Sequence, residues 1–179
     1  MKASITDNLI NFLVNKKSFA IGYPGAAAKI VHATDYLLTS CLGSTLKLIA
    51  IIDCDRHPSK RAIFSKDELK DLKVMLKQFA YDAYSKRLGV SIEIWYVGQN
   101  ASLVLQEPAV QINIKEYNFW VSSWAFDVQS KKVTCNGLSI RNFLRKRLLA
   151  SVFKDIIRNH SIAIKNFPTN SFSLHPELV

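Results

Sequence analysis

Acidic residues and a histidine follow the most apolar run of the chain, and these side chains are the best placed to do chemistry. Leu48 to Ile52 is a continuous run of aliphatic residues, and Asp53, Asp55 and His57 come directly after it. Carboxylates supply the anionic oxygens that hard divalent ions such as Mg²⁺ prefer. An imidazole near a carboxylate can act as a general base. The sequence therefore predicts a catalytic cluster at the end of a buried strand.

Asp35 joins this cluster if the neighbouring strands pair as their pattern predicts. Two strand-like runs, 35–42 and 45–53, are separated only by Gly43-Ser44, which favours a hairpin. Asp35 at the start of one strand and Asp53 at the end of the other would then lie at the same end of the sheet. We predict that Asp35 and Asp53 bind one Mg²⁺, with Glu93 as a further candidate.

Between about Val31 and Val97 this pattern resembles the restriction-endonuclease-like, or PD-(D/E)xK, superfamily of metal-dependent nucleases. The resemblance implies that Asp35 stands for the first acid of the motif and Asp53 for the second. The family places a lysine two positions after the second acid, where this chain has Asp55. Arg56 and Lys47 are imperfect substitutes. The resemblance therefore implies a nuclease-like fold whose site is incomplete.

Two other interpretations of the same stretch stay open. Cys54 and His57 could form a nucleophile and its base. Alternatively, the acids are ordinary strand-end carboxylates, and Cys54 points into the core, where a thiol is usually inert.

A second constellation is a concentration of cations near the C-terminus, opposed only by Asp155. Such a stripe would attract nucleic-acid phosphates with salt-sensitive affinity, and it could equally meet an acidic protein or anionic lipid headgroups. Tryptophans in predicted strands, Trp95, Trp120 and Trp124, could stack on bases or pack in the core. The six predicted anion-binding residues are Arg141, Arg145, Lys146, Arg147, Lys154 and Arg158.

The elements that position these groups follow from hydrophobic periodicity. Predicted helices cover Ile5 to Lys16, Gly25 to His32, a long segment from the capping box Ser65–Glu68 to near Gly89, and a last segment beginning after Ser139. Further strands are predicted at 18–23, 90–97, 103–106, 110–115, 119–127 and 131–135. The predicted core-facing stripe of the last helix is Ile140, Phe143, Leu144, Leu148, Val152, Ile156 and Ile157. The predicted fold class is α/β, a mixed sheet with helices on both faces and an extended antiparallel C-terminal part.

Length and composition limit the possible domain organisation and location of the protein. A chain of 179 residues with a net charge of +10 is predicted to form one α/β domain over residues 1–160, followed by an irregular tail over 161–179. Three cysteines without metal-like spacing suggest reduced thiols and a cytoplasmic location, and no transmembrane segment is predicted.

The leading functional prediction is a basic module that binds an anionic partner, with nucleic acid first among the candidates. A protein-interaction or membrane-peripheral domain is the alternative, and an active Mg²⁺-dependent nuclease is the third.

Overall fold

A computed structural model of the chain describes residues 4–17, 19–22, 28–84, 88–136 and 140–165. The helices are α1 (Ile5–Lys17), α2 (Ala28–Ala33), α3 (Lys66–Tyr84), α4 (Ala101–Val104) and α5 (Ile140–Lys165). The strands are β1 (Ala20–Ile21), β2 (Tyr36–Leu42), β3 (Thr45–Asp53), β4 (Gly89–Gly98), β5 (Asn113–Glu116), β6 (Phe119–Asp127) and β7 (Lys132–Cys135). A short 3-10 helix spans Pro108–Val110.

Within the described residues, the strands form a mixed sheet in the order β1-β2-β3-β4-β6-β5. The hairpin of β2 and β3 is antiparallel, whereas β3, β4 and β6 run parallel. Antiparallel β5 and β7 pair with successive halves of β6 along the remaining edge. This arrangement confirms the predicted α/β class and the antiparallel C-terminal part of the sheet.

The connection from β3 to β4 runs through α3, as a parallel pair requires. Its start is fixed by the predicted capping box: the amide of Ser65 donates to Glu68 Oε2 at 2.8 Å, and the amide of Glu68 donates to Ser65 Oγ at 3.2 Å. The preceding hairpin turns at Gly43, whose φ of 58° lies in the left-handed region that glycine adopts without strain.

The sheet buries apolar side chains on both faces, so its central strands are almost wholly inaccessible. On one face α3 packs through Leu69, Leu72, Leu76 and Ala80. On the other face α1 and α5 pack over Ile49, Ile51, Trp95 and Trp124. Trp95 and Trp124 are therefore core residues.

Two predicted elements differ from the structure. The segment predicted as a strand at 103–106 instead contains the end of α4 and a turn, closed by a hydrogen bond from the Leu105 amide to Ala101 O. A short apolar run does not by itself distinguish a buried strand from a buried helical turn. The last helix continues to Lys165, so residues 161–165 are helical rather than part of an irregular tail. The rest of that tail, and residues 25–27 of the predicted second helix, lie outside the described residues.

Replacing Ile51 with alanine should lower the free energy of unfolding by about 2–5 kcal/mol, because Ile51 is fully buried in the middle of β3. Urea unfolding measures this loss. Ile21→Ala is the matched control, since Ile21 is 69% exposed and its replacement should change stability by no more than about 0.5 kcal/mol. Equal effects of the two changes would contradict a central position for β3.

Candidate functional site

The three parallel strands end at one edge of the sheet, and a pocket of about 330 Å³ opens there. Asp53 at the end of β3, Asp55 and Arg56 line this pocket, together with Gly98 and Gln99 at the end of β4. Ligands of open α/β sheets commonly bind at this edge. Asp53 and Asp55 therefore lie where the fold would place a site, whereas Asp35 and His57 are not among the described residues that line this pocket.

Asp35 lies beside Asp53, but its carboxylate is already paired with a lysine. The amide of Asp53 donates to Asp35 Oδ2 at 2.9 Å, and Lys60 Nζ lies 2.6 Å from Asp35 Oδ1. Lys60 also donates to the carbonyl of Thr34 at 2.8 Å. The sequence analysis did not identify Lys60, because a lysine in a loop seven residues beyond β3 carries no spacing signal.

The carboxylates of Asp53 and Asp55 organise the backbone at this edge. Asp53 Oδ1 accepts hydrogen bonds from the amides of Asp55 at 3.1 Å and Arg56 at 3.0 Å. Asp55 Oδ1 accepts from the amide of Gln99 at 2.8 Å. A Cβ atom at Gly98 would lie 2.7 Å from that same oxygen, so only glycine permits the contact. These acids therefore stabilise the loop after β3 and its junction with β4.

His57 and Cys54 do not form a nucleophile–base pair. His57 Nε2 lies 3.5 Å from Asp35 Oδ1, and its side chain is half exposed. Cys54 is buried, as the core interpretation predicted, and its thiol donates to the carbonyl of Ile52 at 3.9 Å. Burial raises the pKa of the Cys54 thiol to about 12, so the reactive thiolate is disfavoured at neutral pH.

Glu93 does not join the pocket. It pairs with Ile49 across β3 and β4, four residues before the Asp53–Val97 pair, which is about 13 Å along the strand. Its carboxylate instead binds two cations: Lys47 Nζ at 2.8 Å and Arg145 at 2.7 Å. The indole N–H of Trp95 donates to the same carboxylate at 3.1 Å. Burial alone would raise the pKa of Glu93, but Arg145 and Lys47 outweigh it and hold the pKa below its usual value.

The predicted basic helix divides into residues with different roles. Arg145 is bound to buried Glu93, so it belongs to the core contact of α5 rather than to an anion-binding surface. Lys146 is partly buried, whereas Arg147, Lys154 and Arg158 are exposed. The side chain of Arg141 lies outside the described residues.

The predicted apolar stripe of α5 was wrong at Phe143, Leu144 and Leu148, and the side chain of Ile140 lies outside the described residues. Phe143, Leu144 and Leu148 are 59%, 60% and 55% exposed, whereas the buried residues are Leu149, Phe153 and Ile157. Residues four apart advance by about 40° beyond a full turn in a helix of 3.6 residues per turn. A stripe built from such steps winds around α5, so its beginning and its end cannot both face the sheet.

This chain matches no protein-family model, no curated protein and no solved structure. In the described part of the chain, no helix is long and apolar enough to cross a membrane.

The side chains at the carboxyl ends of the parallel strands, which we call the carboxyl edge, do not fit a metal ion. Among the described residues, no group of three or more His, Cys, Asp or Glu side chains could hold one. Three of the carboxylate oxygens named above are hydrogen bonded to backbone amides, and Asp35 Oδ1 is paired with Lys60.

We expect Mg²⁺ or Mn²⁺ to leave the melting temperature unchanged, because both oxygens of Asp35 and one oxygen each of Asp53 and Asp55 already have partners. Thermal unfolding with and without each ion measures this. A metal-dependent rise in the melting temperature that Asp53→Asn abolishes would instead establish the predicted metal site.

Stability should depend on pH through Glu93. Its pKa is lowered by folding, so its stabilising contribution is fully present above the unfolded value of roughly 4.3 and is lost as the pH falls through the lower folded value. Glu93→Gln should remove this acid-dependent loss and cost about 3–5 kcal/mol at neutral pH, because Lys47 and Arg145 lose their shared carboxylate.

Urea unfolding at a series of pH values measures both effects. Glu116→Gln is the control, because Glu116 is exposed and its pair with Lys73 is screened by solvent, so its loss should change stability little. A wild type and a Glu93→Gln variant with the same acid dependence would show that Glu93 is not the titrating group.

Proposed function

We propose that the chain is a peripheral binding module that docks on an anionic membrane surface through the outward face of α5. The observation that carries this proposal is the exposure of Phe143, Leu144 and Leu148 on the helix with the greatest excess of cations. A cluster of exposed apolar side chains on a folded domain commonly marks an interaction site.

The cations of the same helix suit a negatively charged surface. Arg147 lies between Leu144 and Leu148 in sequence, with its guanidinium 6.0 Å from the ring centre of Phe143. Lys154 and Arg158 continue along the exposed side, opposed by Asp155, which lies 3.4 Å from Arg158. Asp155 cancels one unit of charge, so Arg147, Lys154 and Arg158 still leave this side of the helix positive.

A membrane interface uses both kinds of side chain, which is why it is preferred over nucleic acid. Apolar side chains enter the acyl boundary while Lys and Arg remain among the headgroups. Each cation near an anionic surface contributes about 1 kcal/mol. Transferring the exposed half of one Leu or Phe contributes roughly another 1 kcal/mol. Three of each give roughly 6 kcal/mol, which corresponds to weak and reversible binding.

Nucleic acid remains the second candidate, because the net charge of +10 and the same exposed cations would attract phosphates. A nuclease-like origin of the fold is a further proposal. Asp35 and Asp53 flank adjacent antiparallel strands, and Lys60 brings an ammonium group 2.6 Å from Asp35. This lysine comes from the loop after β3 rather than from the motif position. Carboxylate oxygens that already accept hydrogen bonds or pair with Lys60 are not free to hold a catalytic metal ion. We therefore propose binding rather than catalysis.

Sedimentation with vesicles tests the membrane proposal. We expect the wild type to bind phosphatidylcholine vesicles that contain phosphatidylserine and to be released from them by salt. It should not bind vesicles of phosphatidylcholine alone. Leu144→Glu with Leu148→Glu should abolish binding. Ile21→Glu with Ile63→Glu is the matched control, because it adds the same charge at apolar side chains that are 69% and 58% exposed elsewhere.

A second variant tests the charge. Replacing Arg147, Lys154 and Arg158 with glutamine should weaken binding roughly a hundredfold if each cation contributes about 1 kcal/mol. Arg145 is left intact, because its loss would disturb the fold. Equal binding to neutral vesicles, or unchanged binding by the double glutamate variant, would contradict the proposal. Binding to duplex DNA but not to vesicles would favour the second candidate.

A further inference from the structure

A groove of about 570 Å³ lies between the second half of α3 and the turn that joins β5 to β6. We call it the tyrosine groove, because Tyr81 and Tyr117 line it and are 53% and 87% exposed. Its volume falls in the range of small-molecule sites, roughly 300–1,000 Å³. Buried Leu88 also contributes to its lining. The groove therefore offers aromatic rings and an apolar surface to a planar ligand.

The polar groups of the groove can recognise the rest of such a ligand. Lys77 lines it and donates one hydrogen bond to the carbonyl of Tyr117 at 3.3 Å. An ammonium group has three donors, and a neutral carbonyl does not cancel its charge. Asn118 also lines the groove, and an amide side chain can pair with a base edge. Gln78 lines the groove too, with its Nε2 already donating to Asp82 Oδ1 at 2.8 Å. Among the described lining residues, none is acidic.

A row of lysines runs along one side of α3 and ends at this groove. Lys66, Lys70, Lys73 and Lys77 are spaced by four, three and four residues, which places them on one side of the helix over about 16 Å. Lys70 pairs with Asp67 while remaining 75% exposed, and Lys73 pairs with Glu116. Lys77, nearest the tyrosines, has no carboxylate partner among the described ion pairs. Lys66 likewise has no carboxylate partner among the described ion pairs, so Lys77 is the lysine of this row that is both unpaired there and part of the groove lining.

We infer that the tyrosine groove binds single-stranded nucleic acid, with a base stacked on tyrosine and the adjoining phosphate near Lys77. Stacking on exposed aromatic side chains beside a basic track is how proteins bind single strands with little sequence preference. The inference is independent of the membrane proposal, because α3 and α5 cover opposite faces of the sheet. A duplex is not expected to bind here, since its bases are already stacked.

Fluorescence polarisation with labelled oligothymidine at low salt tests the inference. The wild type should bind oligothymidine more tightly than an abasic deoxyribose-phosphate oligomer of the same length. Tyr81→Ala with Tyr117→Ala should weaken binding to oligothymidine by roughly 5- to 150-fold, the range for loss of stacking on one base, and should leave the abasic affinity unchanged. Lys77→Gln should reduce the salt-dependence slope by about 0.7.

Two controls separate stacking from folding. Tyr84→Ala removes a tyrosine that is 41% exposed on the same helix but is not among the lining residues, and it should bind normally. Tyr81→Phe with Tyr117→Phe keeps both rings and should also bind normally.

Equal wild-type affinity for the two oligomers, no binding of oligothymidine, or unchanged binding by the double alanine variant would overturn the inference. The double glutamate variant at Leu144 and Leu148 should bind oligothymidine like the wild type. Loss of oligothymidine binding in that variant would place the nucleic-acid site on α5 and would also overturn the inference. The vesicle experiment gives its answer separately, so the two proposals can fail independently.

Discussion

The carboxylate of Glu93 joins the central sheet to α5, which has more exposed cations than any other helix in the described part of the chain. It is buried on β4, where it binds Lys47 of the neighbouring strand and Arg145 of α5. A buried charge is tolerated only when its partners are held in place, so this contact restricts how α5 can rotate against the sheet. With Arg145 turned inward, Leu149 and Phe153 continue the buried side, and Leu144 and Leu148 face solvent. The Glu93–Arg145 contact and the burial of Leu149 and Phe153 therefore together set the outward face of α5.

The sequence predicted the central fold because several local signals agreed with the tertiary structure. The aliphatic run before Asp53 predicted a strand covered on both faces, and the capping box at Ser65 located the start of α3. The β3–α3–β4 crossover then followed from chain connectivity. At α5 the signals disagreed, because apolar residues occur around most of the helix. Periodicity alone could not show which of them the sheet covers, or that Arg145 points inward toward Glu93.

The sequence predicted where the acidic residues at the carboxyl edge would lie, but it did not predict what their carboxylates bind. Hairpin pairing brings Asp35 beside Asp53, and this was accessible from the two strand patterns. Which hydrogen bonds each carboxylate oxygen accepts depends on the positions of backbone amides in the loop. No pattern of residue types predicts those positions. Asp53 closes the turn after β3, and Asp55 reaches the amide of Gln99 across the end of β4. Lys60 then neutralises Asp35, so a cluster that resembles a metal site in sequence is a structural junction in the fold.

The sheet also keeps the two proposed surfaces apart. Apolar layers on both faces of β3 and β4 lie between α3 and α5, so a ligand on one helix does not contact the other. If α5 lies against a membrane, α3 and the tyrosine groove face away from it into solvent. The domain could then hold a membrane and a single strand at the same time. Because densely packed cores transmit strain, the buried Glu93 contact is one point where occupancy of α5 could influence the sheet, and the packing of α5 against β7 is another. Any coupling between the two surfaces would pass through the central strands, because β3, β4 and β6 each contribute side chains to both apolar layers.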